Sequence, residues 1–151
     1  MKYFTISELT RSATALRKGI NNEANPTVKA NLTALVENVL DPLREKWGQP
    51  IIVNSGYRCP ALNKAVGGAV NSQHTKGEAA DIRTVSNSRS ENMKLLRCLL
   101  NSGIVFDQVI SEYIDAQNRP SWIHVSYKKN GGNRKKKTTC NNGRYISGIK
   151  T

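Results

Sequence analysis

The chain has 151 residues, 38% of them hydrophobic and 23% charged. This balance suits one soluble domain that encloses its own core, and no apolar run approaches the roughly 20 residues of a membrane span. A formal net charge of +12 draws polyanions to the surface, so anionic wall polymers, anionic lipid and nucleic acid are the classes of neighbour it favours. A specific nucleic-acid role is not expected, because the basic residues carry no interleaved aromatic platform and no DNA-reading motif.

The start, Met1-Lys2-Tyr3-Phe4-Thr5-Ile6-Ser7-Glu8, lacks the sustained apolar stretch and small-residue cleavage site of a secretory signal. A protein made in the cytoplasm is expected, reaching any outside target by lysis, through a pore or as part of a particle. Residues Ser7 to Gly19 read as one opening helix, capped by Ser7 and stopped by Gly19. After Asn25-Pro26, the apolar positions Val28, Leu32, Leu35, Val36, Val39, Leu40 and Leu43 recur at three- and four-residue steps, which predicts a helix with one buried face and a kink at Pro42.

Gln49-Pro50 ends that helix, and Ile51-Ile52-Val53 predicts a short buried strand. Residues 54 to 77 read as loop with one helical turn between Ala61 and Val66, then Ala79-Ala80-Asp81-Ile82 as the next strand. Ser90 is the expected cap of a helix from Glu91 to Leu100. Strands from Phe106 to Tyr113 and from Trp122 to Tyr127 flank a hairpin loop through Asp115 to Pro120. Residues 128–151, with Lys128-Lys129 and Arg134-Lys135-Lys136-Lys137, read as a basic tail, either a solvated loop or a docking patch. The sum is a single α+β domain over 1–151, a monomer, with a small, mainly antiparallel sheet and helices packed on it.

Cys59, Cys98 and Cys140 form neither a CxxC pair nor an even set, so they are expected to be reduced. The two histidines carry more information. His74 lies in a polar loop that runs through Gly77 into the strand holding Asp81, and His124 sits mid-strand in Trp122-Ile123-His124-Val125-Ser126. Two imidazoles and a carboxylate are the three protein ligands of a catalytic zinc with its fourth position open. Each residue also has a plainer reading, His124 as a hydrogen-bonded structural histidine and Asp81 as an edge carboxylate. Spacing leaves both readings standing.

Ser55-Gly56-Tyr57-Arg58-Cys59-Pro60, then Ser72-x-His74-x-x-Gly77-x-Ala79-x-Asp81, then Trp122-Ile123-His124-Val125-Ser126 together resemble the zinc D-Ala-D-Ala carboxypeptidase family. That family includes phage L-Ala-D-Glu endopeptidase endolysins and has the hedgehog-type DD-peptidase fold. The resemblance spans about residues 4 to 127. It implies that His74, Asp81 and His124 bind Zn²⁺ and that the substrate is a peptidoglycan stem peptide. It also implies that Arg58 orients the scissile amide, where a guanidinium grips a carboxylate or carbonyl and stabilises a developing oxyanion. The plain reading of Arg58 is a surface salt bridge.

Many family members place an acid three residues before the last histidine as general base, and here that residue is Ser121. Glu112 is the expected replacement, since an antiparallel neighbour can aim a carboxylate beside His124, and Asp115 in the loop is the second candidate. On strand alternation Glu112 shares a face with Phe106, Gln108 and Ile110, opposite Asp107, Val109 and Ser111. Ser72, Gln73, Tyr57 and Trp122 are the remaining expected substrate contacts, with core packing an equal alternative for Trp122. The competing function is a catalytically inactive zinc-containing module that binds cell wall.

Overall fold

The computed structural model describes residues 1–151. Its sheet has six strands: β1 (Ile51–Ser55), β2 (Ala79–Thr84), β3 (Gln108–Glu112), β4 (Trp122–Ser126), β5 (Lys136–Asn141) and β6 (Arg144–Ser147). They lie in the order β1-β2-β4-β3-β5-β6, and every pairing is antiparallel except the parallel β3–β5 ladder. The α+β architecture and the mainly antiparallel sheet are those expected.

Helices cover one face. The opening segment is two helices, α1 (Ile6–Thr10) and α2 (Ala13–Lys18), instead of one. Thr5 caps the first and Ser12 the second, and the extended backbone at Arg11 and Ser12 breaks the run. The interruption follows from Ser12, whose hydroxyl accepts from Ala15 N and so competes with the helix backbone.

The long apolar pattern forms α3 (Pro26–Leu35), a π-helical turn over Val36–Leu40 and α4 (Asp41–Trp47) without a break. Pro42 has no N–H to donate to the preceding turn, and a wide turn next to it is the usual accommodation. Asn25 caps α3, with Pro26 at its first position, and Gly48 closes α4. Two further helices are α5 (Pro60–Ala65) and α6 (Arg89–Leu100). The cap of α6 is Ser88, whose side chain accepts from Glu91 N, and not Ser90, which lies one residue inside the helix.

The core lies between these helices and one face of the sheet. Leu32, Leu35, Val39, Leu43, Leu96 and Leu99 meet Val53, Ile82, Val109, Ile123 and Val125 there. Alternation sends Asp81, Ile110, Glu112 and His124 to the opposite face, and that face is a cleft.

The basic tail is ordered structure. β5 and β6 form a hairpin closed by Asn142 and Gly143, both at positive φ (51° and 83°), the two-residue turn that suits the twist of antiparallel strands. Asp107, fully buried, holds the segment leading into β5. It accepts from Arg134 N and Nε at 3.1 and 3.0 Å and from Arg134 Nη2 at 2.8 Å. No helix is long and apolar enough to cross a membrane.

Candidate metal centre

Three segments deliver the three candidate ligands. His74 sits in a single 3₁₀ turn, Gln73–Lys76, which Ser72 caps by accepting from His74 N at 3.2 Å and Gly77 ends at φ 74°. Gly77 also lies against α3, where an added Cβ would sit 2.9 Å from Val28 Cγ1, so both its φ and its surroundings call for glycine. Asp81 and His124 are direct cross-strand partners on β2 and β4. A β-bulge in β1 between Val53 and Ser55 lies opposite Ile82 and Asp81, at the rim of the site.

Their donor atoms lie within 4.8 Å of one another. Asp81 Oδ1 is 3.3 Å from His74 Nε2 and 3.1 Å from His124 Nδ1. The edge of a tetrahedron with ~2.0 Å metal bonds is roughly 3.3 Å, so the two distances from Asp81 suit zinc in size and the donor set suits it in chemistry. The rings stand edge to face with centroids 5.0 Å apart. His74 Nδ1 donates to Gly56 O at 2.6 Å, which fixes the ring and leaves Nε2 facing Asp81. Gly56 itself packs on the backbone of Leu9, where a side chain would collide with the Leu9 carbonyl. Burial by itself would raise the Asp81 carboxyl, but the two imidazoles outweigh it and hold Asp81 well below the usual carboxylate range.

Arg58, Ser72, Gln73, Glu112 and Trp122 line the same cleft as the three ligands. Glu112 pairs with Trp122 across the β3–β4 ladder, two residues along the strand from the Ile110–His124 pair and on the same face. Burial first, and then the Asp81 carboxylate, push Glu112 up to about 7, against the pull of His124 and Arg58. Arg58 has no carboxylate in ion-pair contact. Its Nε donates to Asn63 Oδ1 at 3.2 Å and its Nη1 reaches Ser55 Oγ at 3.5 Å. Burial lowers its value, while Asp81 and Glu112 act to raise it.

Two expected residues are placed elsewhere. Tyr57 belongs to the core at 7% exposure and is not a wall of the cleft. Its backbone N–H donates to Leu9 O. Asp115 is spent inside the hairpin loop, accepting from Arg119 N and Nε and from Gln117 N. Ser121 donates to Tyr113 O at 3.3 Å. Trp122 packs edge to face on Tyr113, with centroids 5.1 Å apart, while also lining the cleft.

The tail contributes what the sequence reading left out. Lys128, Arg134, Lys136, Thr138 and Tyr145 form a further wall of the cleft. The signal was Asn142-Gly143, a hairpin dipeptide between runs in which Thr138, Cys140 and Tyr145 alternate with other residues.

The sequence model of the peptidase M15 family matches residues 2–126. The chain belongs to the peptidase M15 family. Over 80 residues it is 39% identical to the zinc D-Ala-D-Ala carboxypeptidase of Streptomyces albus G, which covers 52% of this chain and 30% of that protein. The chain therefore aligns with less than a third of that relative's length. For this M15 peptidase, the three candidate ligands, Arg58 and Glu112 all fall within the matched residues.

Proposed function

We propose that this M15 peptidase is a zinc enzyme that hydrolyses an amide bond in the peptide part of bacterial peptidoglycan, either as a D-Ala-D-Ala carboxypeptidase or as an endolysin-type endopeptidase. The observation that carries the reading is the convergence of His74 Nε2, Asp81 Oδ1 and His124 Nδ1 on one open-sided point in a cleft that also holds Glu112. The substrate class rests on the carboxypeptidase relative. A role in phage or prophage lysis rests on the endolysin resemblance, and the net charge of +12 supports approach to an anionic wall.

When bound to this trio, zinc supplies a Lewis acid that polarises a carbonyl and acidifies a water. The protein's own groups do the rest. Glu112 holds a carboxylate beside His124, takes a proton from the attacking water at a carboxylate oxygen, and returns it to the nitrogen of the leaving amine. Arg58, free of any carboxylate partner, donates to a substrate carboxylate or carbonyl and sets the scissile bond in place. Gly56 O keeps the His74 ring from turning.

The deciding experiment is mass spectrometry of muropeptides after incubation with the zinc-loaded protein and with the protein in chelator. Loss of a terminal D-Ala names the carboxypeptidase, and separation at L-Ala-D-Glu names the endopeptidase. Unchanged muropeptides with zinc bound overturn the proposal and leave a wall-binding module.

A further inference from the structure

The family match ends at residue 126, and the next stretch of chain builds the wall of the cleft that faces away from β1. Two of its cations are already engaged. Asp107 takes Arg134 through both carboxylate oxygens and has Lys128 Nζ 3.7 Å away. One acid against two bases leaves that trio with a net positive charge. Lys136 is exposed, and with Asp107 taken by Arg134 and Lys128 it has no carboxylate of its own.

Register fixes where Lys136 stands. In the parallel β3–β5 ladder Lys136 pairs with Gln108 and Thr138 with Ile110, while Ile110 pairs with His124 in the β3–β4 ladder. Paired residues share a face, so Lys136 is on the cleft face with His124, two strands across and two residues along. Strand spacing of ~4.8 Å and a rise of ~3.3 Å per residue put the two Cα atoms on the order of 12 Å apart. The neighbouring tie from Gln108 Nε2 to Thr138 Oγ1, 2.9 Å, holds this part of the wall against β3. An unpaired ammonium at that place meets whatever part of an extended substrate leaves the metal centre in this direction.

Resting on the peptidase reading, we propose that Lys136 is a specificity residue that binds a free carboxylate of the substrate about two or three extended residues from the bond cleaved. The Lys128–Arg134–Asp107 trio adds a positive field beside it. The preferred substrate is then an acidic peptide, and conversion of that carboxylate to a carboxamide weakens binding without touching the chemistry at the metal centre.

The test uses the full-length zinc-loaded protein, its Lys136→Gln variant and a Lys29→Gln control, which removes the same charge from the exposed side of α3. Three synthetic peptides are compared: L-Ala-γ-D-Glu-L-Lys-D-Ala-D-Ala, the same peptide with only the D-Glu α-carboxylate amidated, and the same peptide with only the C-terminal carboxylate amidated. Lys136→Gln is expected to raise KM about fivefold, with kcat unchanged, on the two peptides that keep the D-Glu α-carboxylate, the one that lies about two to three residues from the D-Ala-D-Ala bond. It is expected to have no effect on the peptide that lacks that group, and Lys29→Gln is expected to show no such pattern. A dependence on the C-terminal carboxylate instead, or a KM that changes equally on all three peptides or on none, overturns the inference and leaves the peptidase reading intact. If the wild-type protein cleaves none of the three, the peptidase reading fails and takes this inference with it.

Discussion

Ser121 stands three residues before His124, and its hydroxyl is turned to the Tyr113 carbonyl. The acid proposed as the base is Glu112 on β3, where burial and the Asp81 charge push it up to about 7. Replacing it by glutamine keeps the shape and removes the proton acceptor. Glu112→Gln is expected to lower kcat by at least about a hundredfold with the zinc content, read by elemental analysis, unchanged. A variant that keeps wild-type turnover would remove Glu112 from the reaction. The raised value has a second consequence in the metal-free protein. A carboxyl that folds to about 7 from an ordinary 4.5 holds its proton more tightly when folded. Its stabilisation is therefore complete below the lower value and is lost as pH rises through the upper one. Metal-free wild type should lose up to about 3 kcal/mol relative to metal-free Glu112→Gln between pH 4.5 and 7, read from urea midpoints at fixed pH. Parallel curves for the two proteins would contradict the burial of this carboxyl. His74, Asp81, His124 and Arg58 were singled out by the resemblance of their flanking motifs to a family, since spacing alone left the metal and the plain structural readings both open. Tyr57 was expected in the cleft because its motif places it beside Arg58, but its ring packs in the core, an outcome of tertiary contacts that the local motif does not carry.

At the scale of elements, periodicity identified α3, α4, α6 and the strands β1 to β4, since each buries one face. It overlooked the break between α1 and α2, where the hydroxyl of Ser12 competes with a weak apolar pattern. It overlooked β5 and β6 because lysines on their exposed positions hide a two-residue alternation, although Asn142-Gly143 marked the turn. What holds this hairpin is partly a residue from another element, Asp107, just before β3. Removing it by Asp107→Ala strips Arg134 of its partner and detaches the loop leading into β5. The expected cost is about 2–3 kcal/mol, below that of a fully buried pair because Arg134 is half exposed. Hydrogen exchange should quicken in β5 and β6 before it does in β2 and β4. The sign with pH is opposite to that of Glu112. Burial acts to raise Asp107, but the hydrogen bonds and charge of Arg134 hold it below its ordinary 3.8. Its stabilisation is present above that value and is lost as pH falls through the depressed one. Acid should therefore loosen the hairpin first, and uniform exchange across the sheet on acidification would contradict the clamp.

For the whole molecule, the three ligands join a 3₁₀ turn outside the sheet to two of its adjacent strands. His74 belongs to the turn Gln73–Lys76, Asp81 to β2 and His124 to β4. A cation shared by the three joins that turn to the middle of the sheet, and its binding free energy adds to the stability of the fold because the unfolded chain offers no such site. At a free zinc concentration 100 times the dissociation constant, the gain is about 2.7 kcal/mol. For a domain of this size that corresponds to a rise in Tm of roughly 5–10 °C. The wild-type protein should lose this increment in chelator and regain it on zinc addition, as followed by calorimetry. His74→Ala should melt near the chelated wild type and gain little from zinc, because two remaining ligands hold the ion far less tightly than three. Glu112→Gln, which keeps all three ligands, should still gain the full increment, so the melting response separates holding the metal from using it. Equal zinc-induced shifts in His74→Ala and in the wild type would place the ion elsewhere on the protein and remove the basis for the proposed chemistry.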